Sequence, residues 1–596
     1  MVCFIFDKDG VLVDTEEGKI LSYYRVLEEK ISDKIPEWEE YRKFHAEALS
    51  GKSRNDVVKG IIQEYPSLRN ALIESKRDLE QKRKSGNFNV PKYKEVKKQI
   101  KEGRKNYGSI NNFPPELLLS VHRLIQYADI PLEEKCRPIT PMVEFVQSLQ
   151  DNKMPTCLIT VSEFDRTQQE LEYVRKKLPH INVDINKFEI VACKDKIYWK
   201  DNKRESESPG EKDKMYCLIR KELHKKYKEF VAIEDTEPGM QAALDGEFPC
   251  FLPCKGYYDK EVVSFLEALC TPNAEMREPY IVGVDFGGTR TKVGFGKILW
   301  LFIPCTFEEK KPEDILDFLR RLYTPKVQAF GIALACTMVP AGEICKGERR
   351  VSKYSTKFAS LSQVKNGTIR EIQESWSEKL RVPVFILNDG EAAAIAEYQA
   401  LKRCQEKEEC RYTDVLVITL GTSIGAGFIF HDEPYIGPYT SRASHIILDP
   451  DGEWCIGENH QGCWKTMTGR DALLDLAKKM GYQVDPERIT EMAQKGDRKA
   501  RLFYELYAER VARGIATIAG AVPFKCVIIG GGTAKAGDVL LDLIRERLEK
   551  GDLLDPEIGS ALKILTAQSR EPVVAGAQLY AEEMLQKKCE KESSST

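Results

Sequence analysis

Short apolar runs, each stopped by a loop bearing glycine or an acid, recur along the chain. Val2–Phe6 ends in Asp7-Lys8-Asp9-Gly10, and Tyr280–Val284 ends in Asp285-Phe286-Gly287-Gly288-Thr289. Strand–helix alternation follows each, so each predicts the first strand of an α/β domain. Further runs at Thr156–Thr160, Phe230–Ile233, Val384–Leu387, Val415–Leu420 and Cys526–Ile529 predict later strands. Residues 16–135 read as mostly helical and interrupt the first alternation. Cys270 to Pro279 is polar with two prolines and reads as a linker. The predicted organisation is a first domain at 1–270 with a helical insertion at about 16–135, a linker at 271–279, a second domain at 280–588, and a disordered tail at 589–596. Lys200–Lys214 reads as a polar loop insertion, and the charged, Ser-rich end from Lys587 as frayed. No short-period repeat is present.

The 596 residues are 42% apolar and 31% charged, enough chain to bury more than one core. Ninety Lys+Arg against 93 Asp+Glu leave a net charge of -3, which argues against a protein that coats nucleic acid or an anionic membrane. No apolar run reaches the roughly 18 residues of a transmembrane helix, and the first residues lack a signal-peptide pattern. Seventeen scattered cysteines are better read as reduced thiols, and the expected location is cytoplasmic. Within 76–105, 12 basic residues outnumber 4 acidic ones. Few aromatics lie between them for base stacking, so a solvated helical face is the preferred reading over a nucleic-acid patch.

Asp7 and Asp9 fall at the carboxyl end of a strand, where open α/β sheets bind ligands. Two carboxylates there can hold Mg²⁺, and one can attack phosphorus while the other protonates a leaving oxygen. The alternative is a polar turn capping a helix. Three later segments favour the chemistry. Thr160-Val161-Ser162 offers a hydroxyl, Lys212 precedes an expected helix at Met215–His224, and Phe230–Ile233 ends in Glu234-Asp235.

This order, Phe6-Asp7-Lys8-Asp9-Gly10-Val11-Leu12-Val13-Asp14, then Thr160, Lys212 and Ile233-Glu234-Asp235, resembles the haloacid dehalogenase superfamily. It looks most like the branch with β-phosphoglucomutase and sugar-phosphate phosphatases, over about residues 1–265. The resemblance implies a Rossmann-like core with a helical cap. It implies Asp7 as nucleophile, Asp9 as general acid/base, and Thr160 and Lys212 beside the phosphate. Mg²⁺ would be held by Asp7, the Asp9 carbonyl and Asp235, with Glu234 nearby. Leu49-Ser50-Gly51-Lys52-Ser53-Arg54 resembles that branch's specificity loop, so Gly51 and Arg54 are expected to touch substrate. Where the family has Lys-Pro-x-Pro-Asp, this chain reads Glu211-Lys212-Asp213-Lys214. Hydrolysis and mutase chemistry both stay open, since the difference lies in how well the cap excludes water.

In the second half, Ile281–Phe295 reads as a hairpin with a Gly-Gly turn, which lets backbone amides approach phosphate. Gly421-Thr422-Ser423-Ile424-Gly425 and Gly530-Gly531-Gly532-Thr533 repeat the pattern after strands, and three such turns suit one nucleotide. Val384–Leu387 leads into Asn388-Asp389-Gly390. Asp389 could take a proton from a sugar hydroxyl, and Asn388 could bond a neighbouring hydroxyl. The alternative is an N-cap pair.

Together these segments resemble the ROK family of sugar kinases, over about residues 279–586. The implied fold is a two-lobed, actin-like ATPase domain of the hexokinase, ribonuclease H-like type. The implied activity is phosphoryl transfer from MgATP to an amino sugar or hexose, with Asp389 as base. ATP is expected at Asp285, Gly287, Gly288, Thr289, Lys292, Gly421, Thr422, Gly425, Gly531 and Gly532, and sugar at Asn388 and His445. The familiar Gly-x4-Gly-Pro segment corresponds to Gly331–Pro340. Two sugar-binding acids of the family are replaced, by Arg442 and Lys465, which suits an anionic acceptor. The family's zinc run has lost its middle cysteine. His445, Cys455 and Cys463, with His460 as a further candidate, could still bind Zn²⁺; buried thiols with a structural histidine are the alternative. The expectation is a bifunctional enzyme, a Mg²⁺-dependent sugar-phosphate phosphatase joined to an ATP-dependent sugar kinase. N-acetylmannosamine phosphorylation and dephosphorylation of a sialic acid phosphate form one candidate pairing. The alternatives are a kinase fused to a phosphosugar mutase, or a sugar-sensing second half. The expected partners are small sugars and sugar phosphates, with no nucleic acid, no membrane, and a homodimer as the family's usual assembly.

Overall fold

Val2–Asp7 is a strand whose Cys3, Phe4, Ile5 and Phe6 are all buried, as a central parallel strand requires. In the computed structural model it lies between two parallel neighbours, Glu229–Ile233 and Thr156–Ile159. The structure describes residues 2–31, 35–45, 54–89, 93–181, 183–200, 204–254, 258–270, 279–287, 290–304, 311–322, 326–336, 338–340, 349–351, 368–404, 412–437, 440–455, 460–484 and 486–594. The chain folds as two units, 1–248 with 256–264, and 249–255 with 265–596.

In the first unit the sheet continues from Thr156–Ile159 through parallel Ile190–Ala192 to antiparallel Lys196–Trp199 and Arg204–Glu207. The last strand falls inside the stretch expected to be a loop. Arg204–Glu207 is polar and exposed throughout, so no apolar alternation marks it; the ladder to Lys196–Trp199 and the Arg204 guanidinium over the Trp199 ring hold it. The helix after it starts at Lys212 rather than Met215.

The insertion is helical as expected, from Glu16–Ile31 to Leu132–Lys135. It has its own core, including Leu27, Tyr41, Ile61, Leu72 and Leu118. Its two connections to the sheet are pinned together, because Val13–Asp14 pairs antiparallel with Arg137–Pro138.

Among the described residues the second unit holds two larger sheets and a short ladder of Met338–Pro340 with Arg349–Val351. One runs Val384–Asn388, Val327–Leu334, Tyr280–Phe286, Arg290–Phe295, Leu299–Pro304, Cys250–Pro253. The other runs Glu433–Pro434, Ile424–Phe430, Val415–Leu420, Cys526–Gly530, Lys563–Thr566. The Asp389–Cys404 helix packs on both the second sheet and the Pro572–Ser594 helix. Close approach is built in with glycine. A Cβ on Gly576 would lie 1.7 Å from the Ala392 carbonyl oxygen, and one on Gly331 1.9 Å from that of Ala577. The last helix runs to Ser594, into the stretch expected to be disordered, with Lys587 paired to Glu583 one turn earlier.

The expected linker at 271–279 lies, apart from Pro279, outside the described residues, as do Gly51, Gly288, Thr289 and Thr337. Arg54 begins the Arg54–Glu64 helix. Among the described residues, no helix is long and apolar enough to cross a membrane. The described cysteines are free thiols, most of them buried.

Candidate active sites

The central position of Val2–Asp7 brings three strand ends to one place. Its register sets Asp7 opposite Ile159 and Phe6 opposite Ile233, so Thr160 and Glu234-Asp235 emerge at the level of Asp7 and Lys8. The oxygens of Asp7, Glu234 and Asp235 lie within 4.8 Å of one another, an all-carboxylate set that suits a hard cation such as Mg²⁺. Gly10, at a φ of +79°, lets the loop close on this cluster; a Cβ there would lie 1.8 Å from Asp235 Oδ2.

Lys212 Nζ bridges the cluster, 3.0 Å from Asp7 Oδ2 and 2.8 Å from Glu234 Oε2. The Tyr216 hydroxyl, one turn further along that helix, donates to Glu234 Oε1 at 2.6 Å. Burial, reinforced by the Asp7 charge, pushes Glu234 up to about 8 and Asp235 up to about 7. Burial also raises Asp7, with Lys212 opposing it.

Asp9 occupies a different environment from the other three acids. Its Oδ1 accepts from the Thr15 hydroxyl at 3.0 Å, and its Oδ2 from Thr160 at 3.1 Å and Ser162 at 3.2 Å. Fully buried Lys8 lies 3.2 Å from Oδ1 and is itself paired with Glu170, which also takes Arg166 at 2.8 Å. Burial acts upward on Asp9, but Lys8, Arg166 and Lys19 outweigh it and hold the carboxyl well below its usual range.

In the second unit, Asn388 ends its strand and starts the next helix. Its side-chain amide donates to the Cys336 carbonyl at 2.7 Å, while Oδ1 accepts from the Gly390 amide at 2.8 Å. Asn388 is therefore buried and saturated as a helix cap. Asp389, half-buried beside it, accepts from the Gly390 amide at 3.0 Å. Burial pushes Asp389 up to about 7, and the nearby Asp285 charge adds to this. Gly390 and Gly427 let the helix start touch the second hairpin; a Cβ on Gly427 would lie 2.3 Å from the Gly390 carbonyl oxygen.

Gly421 closes its turn by donating to the Ser423 carbonyl at 3.0 Å, and its own carbonyl receives Arg470 N at 3.1 Å. Thr422 and Gly425 belong to the same turn, and Gly425 packs against the Thr419 side chain. Gly531, at a φ of +92°, packs against Leu420, and nothing lies within 4 Å of a Cβ built on Gly532. Gly287 follows Asp285 at its strand end. Lys292 Nζ lies 2.6 Å from Glu571 and 3.7 Å from Asp285.

His445 Nδ1 is 3.3 Å from His460 Nε2, 3.7 Å from Cys455 Sγ and 4.0 Å from Cys463 Sγ. All four ligand atoms lie within 4.8 Å of one another. Two imidazoles and two thiols at such spacing fit a four-coordinate Zn²⁺.

The family model described as "ROK family" matches residues 281–583. The chain belongs to the ROK family. Residues 1–246 match the model for haloacid dehalogenase-like hydrolases, so the chain joins such a hydrolase domain to a ROK kinase domain. An N-acetylmannosamine kinase of Escherichia coli (strain 55989 / EAEC) is 31% identical over 264 residues, 43% of this chain and 84% of that protein. A glucokinase of Streptomyces coelicolor is 26% identical over 328 residues, 49% of this chain and 98% of that one. The structure of a ROK family glucokinase from Streptomyces griseus, in complex with glucose and AMPPNP, is 24% identical with a TM-score of 0.40; it covers 51% of this chain and 99% of its own.

Several residues of the ROK and hydrolase domains escaped motif reading. Glu391 places Oε1 and Oε2 2.8 and 2.9 Å from Arg349 Nη1, and its Oε2 accepts the Asn388 amide at 3.0 Å. The spacing from Asn388 to Glu391 is that of a capping box and was available in the sequence. Tyr216 had the one-turn spacing from Lys212. Glu170, Arg349 and Glu571 had no local signal.

Proposed function

We propose that this chain is a bifunctional enzyme, an ATP-dependent sugar kinase joined to a Mg²⁺-dependent sugar-phosphate phosphatase. The kinase half rests on one observation above all, the Asp389 carboxyl with its elevated pKa at the first turn of its helix. A base poised near neutrality takes the proton from an acceptor hydroxyl as that oxygen attacks the terminal phosphorus of ATP, and ADP leaves. Asn388, spent on its cap, positions Asp389. Asp285 and the glycine turns at Gly287, Gly421 and Gly531 supply backbone room for the nucleotide.

The 31% identical N-acetylmannosamine kinase makes an N-acetylated amino sugar the first acceptor to try. Arg442 and Lys465, half-buried on segments flanking His445 and Cys463, favour a second reading in which the acceptor carries a carboxylate or phosphate. Coupled ADP production with N-acetylmannosamine, glucose and glucuronate, on wild type and Asp389→Asn, tests both readings. Wild-type turnover in Asp389→Asn would remove the assigned base.

In the hydrolase half, Asp7 attacks the phosphorus of a sugar phosphate as the bond from phosphorus to the sugar oxygen breaks; the sugar leaves as its alcohol with a proton relayed by Asp9, and Lys212 offsets charge on the phosphoryl oxygens. Asp9, held as a carboxylate, suits the step in which water gives up a proton while attacking the aspartyl-phosphate. Asp7, Asp235 and the Asp9 carbonyl would hold Mg²⁺, with Glu234 behind them on Lys212; the ion supplies charge neutralisation at the phosphoryl group. Phosphate release by Asp7→Asn is the test. If His445, Cys455, His460 and Cys463 all bound Zn²⁺ they would leave no open position, which supports a structural rather than a catalytic role for the ion.

A further inference from the structure

A buried charge pair sits one turn from Asp389. Arg349 and Glu391 have side chains only 10% and 1% exposed. Arg349 stands on a short strand, Arg349–Val351, paired antiparallel with Met338–Pro340, so that Pro340 faces Arg349. Met338 lies two residues past Cys336, whose carbonyl receives the Asn388 side chain. The contacts therefore close a ring, from Cys336 to Asn388, through the Asn388 amide to Glu391, across to Arg349, and back along the hairpin. Asp389 and Gly390 are the residues inside that ring between Asn388 and Glu391.

Stability gives little reason for such a pair. Two charges taken out of water recover, in mutual attraction, about what their desolvation costs, and an apolar pair of equal volume does as well. What the pair adds is geometry. Arg349 Nη1 reaches both oxygens of the Glu391 carboxylate, and that carboxylate caps the helix carrying Asp389. Asn388 makes a neighbouring link, donating to the Leu334 and Cys336 carbonyls just before that hairpin.

We infer that Arg349 and Glu391 are positioning residues for phosphoryl transfer: they lock the paired strands Met338–Pro340 and Arg349–Val351 to the helix start so that acceptor and base meet in one geometry. This deepens the kinase reading and rests on Asp389 as its base. The groups acting on Asp389 are Asp285 from its strand, the Gly390 amide and the Asn388 side chain, with Glu391 of the charge pair two residues further along the helix. The Cys336 thiol feels Asp389 and Glu391 in one direction and Arg349 in the other, and Tyr580 on the Pro572–Ser594 helix faces the same pair.

The test uses full-length Arg349→Met, Glu391→Gln and the double variant, with Asp389→Asn in parallel. Steady-state kinetics are taken from pH 5.5 to 9 with ATP and whichever of N-acetylmannosamine, glucose and glucuronate the wild type turns over fastest. Each single variant loses about tenfold or more in kcat/KM for the sugar, of the order expected when reacting groups are misplaced, with the KM for ATP unchanged. The acid limb moves upward in Arg349→Met, because Glu391 is left uncompensated, and downward in Glu391→Gln, because Arg349 is. The double variant returns it to the wild-type position. A pair that only supports the fold would shift neither limb, and equal limbs with unchanged sugar kinetics overturn the inference. Hydrogen exchange supplies a measure that needs no acceptor. Amides at 338–340, 349–351 and 388–391 exchange faster in both single variants; unchanged protection there also overturns it. If Asp389→Asn keeps full turnover, the base assignment fails separately, and the exchange result alone decides on the pair.

Discussion

At Asp389, burial and a second carboxylate act in the same direction. The group must be ionised to accept a proton, so kcat/KM of the kinase reaction rises with pH, bends near 7 and is flat above it. Asp389→Asn is expected to lose about 10²–10⁴-fold in kcat. The same shift has a stability consequence. The folded-state value lies above that of an unfolded aspartate, about 3.9, so this group favours the fold at low pH, and that advantage is gone once pH passes about 7. Thermal melts of Asp389→Asn against wild type should therefore show the variant gaining as pH goes from 4 to 8; a difference independent of pH would contradict the shift. Lys212 carries a comparable burden in the other unit. Lys212→Met leaves buried Asp7 and Glu234 facing each other without their shared cation, and phosphate release should fall at least about 10²-fold, with loss of stability as well.

At the level of elements, the strand ends were legible because their signal is local. An apolar run followed within two residues by Asp or Gly announced Val2–Asp7, Tyr280–Phe286, Val384–Asn388 and Cys526–Gly530. The partners that tune those ends were not legible, since they come from far along the chain. Lys8 finds Glu170 at a separation of 162 residues, and Lys292 finds Glu571 at 279. Arg204–Glu207 was missed because an exposed edge strand carries no apolar alternation. Helix packing supplies its own prediction. Gly576→Ala drives a methyl into the Ala392 carbonyl and should cost about 1–3 kcal/mol, read as a lower urea midpoint at unchanged m-value. The His/Cys cluster supplies another. Metal analysis should find one Zn²⁺ per chain, and His460→Ala should release it far more readily to a chelator. Full retention in that variant would exclude His460 as a ligand.

For the whole molecule, the two sets of carboxylates proposed as catalytic stand in two units that each bury their own core. Neither set needs a residue from the other in any contact described above. A phosphatase and a kinase acting on one phosphate would consume ATP without net product, so the two halves are expected to take different substrates. That separation is tested most directly by assaying both activities on full-length wild type, Asp7→Asn and Asp389→Asn. The prediction is that Asp7→Asn loses phosphate release and keeps sugar phosphorylation, while Asp389→Asn does the reverse. Loss of both activities in either variant, or of neither, would contradict two independent phosphoryl-transfer sites on one chain.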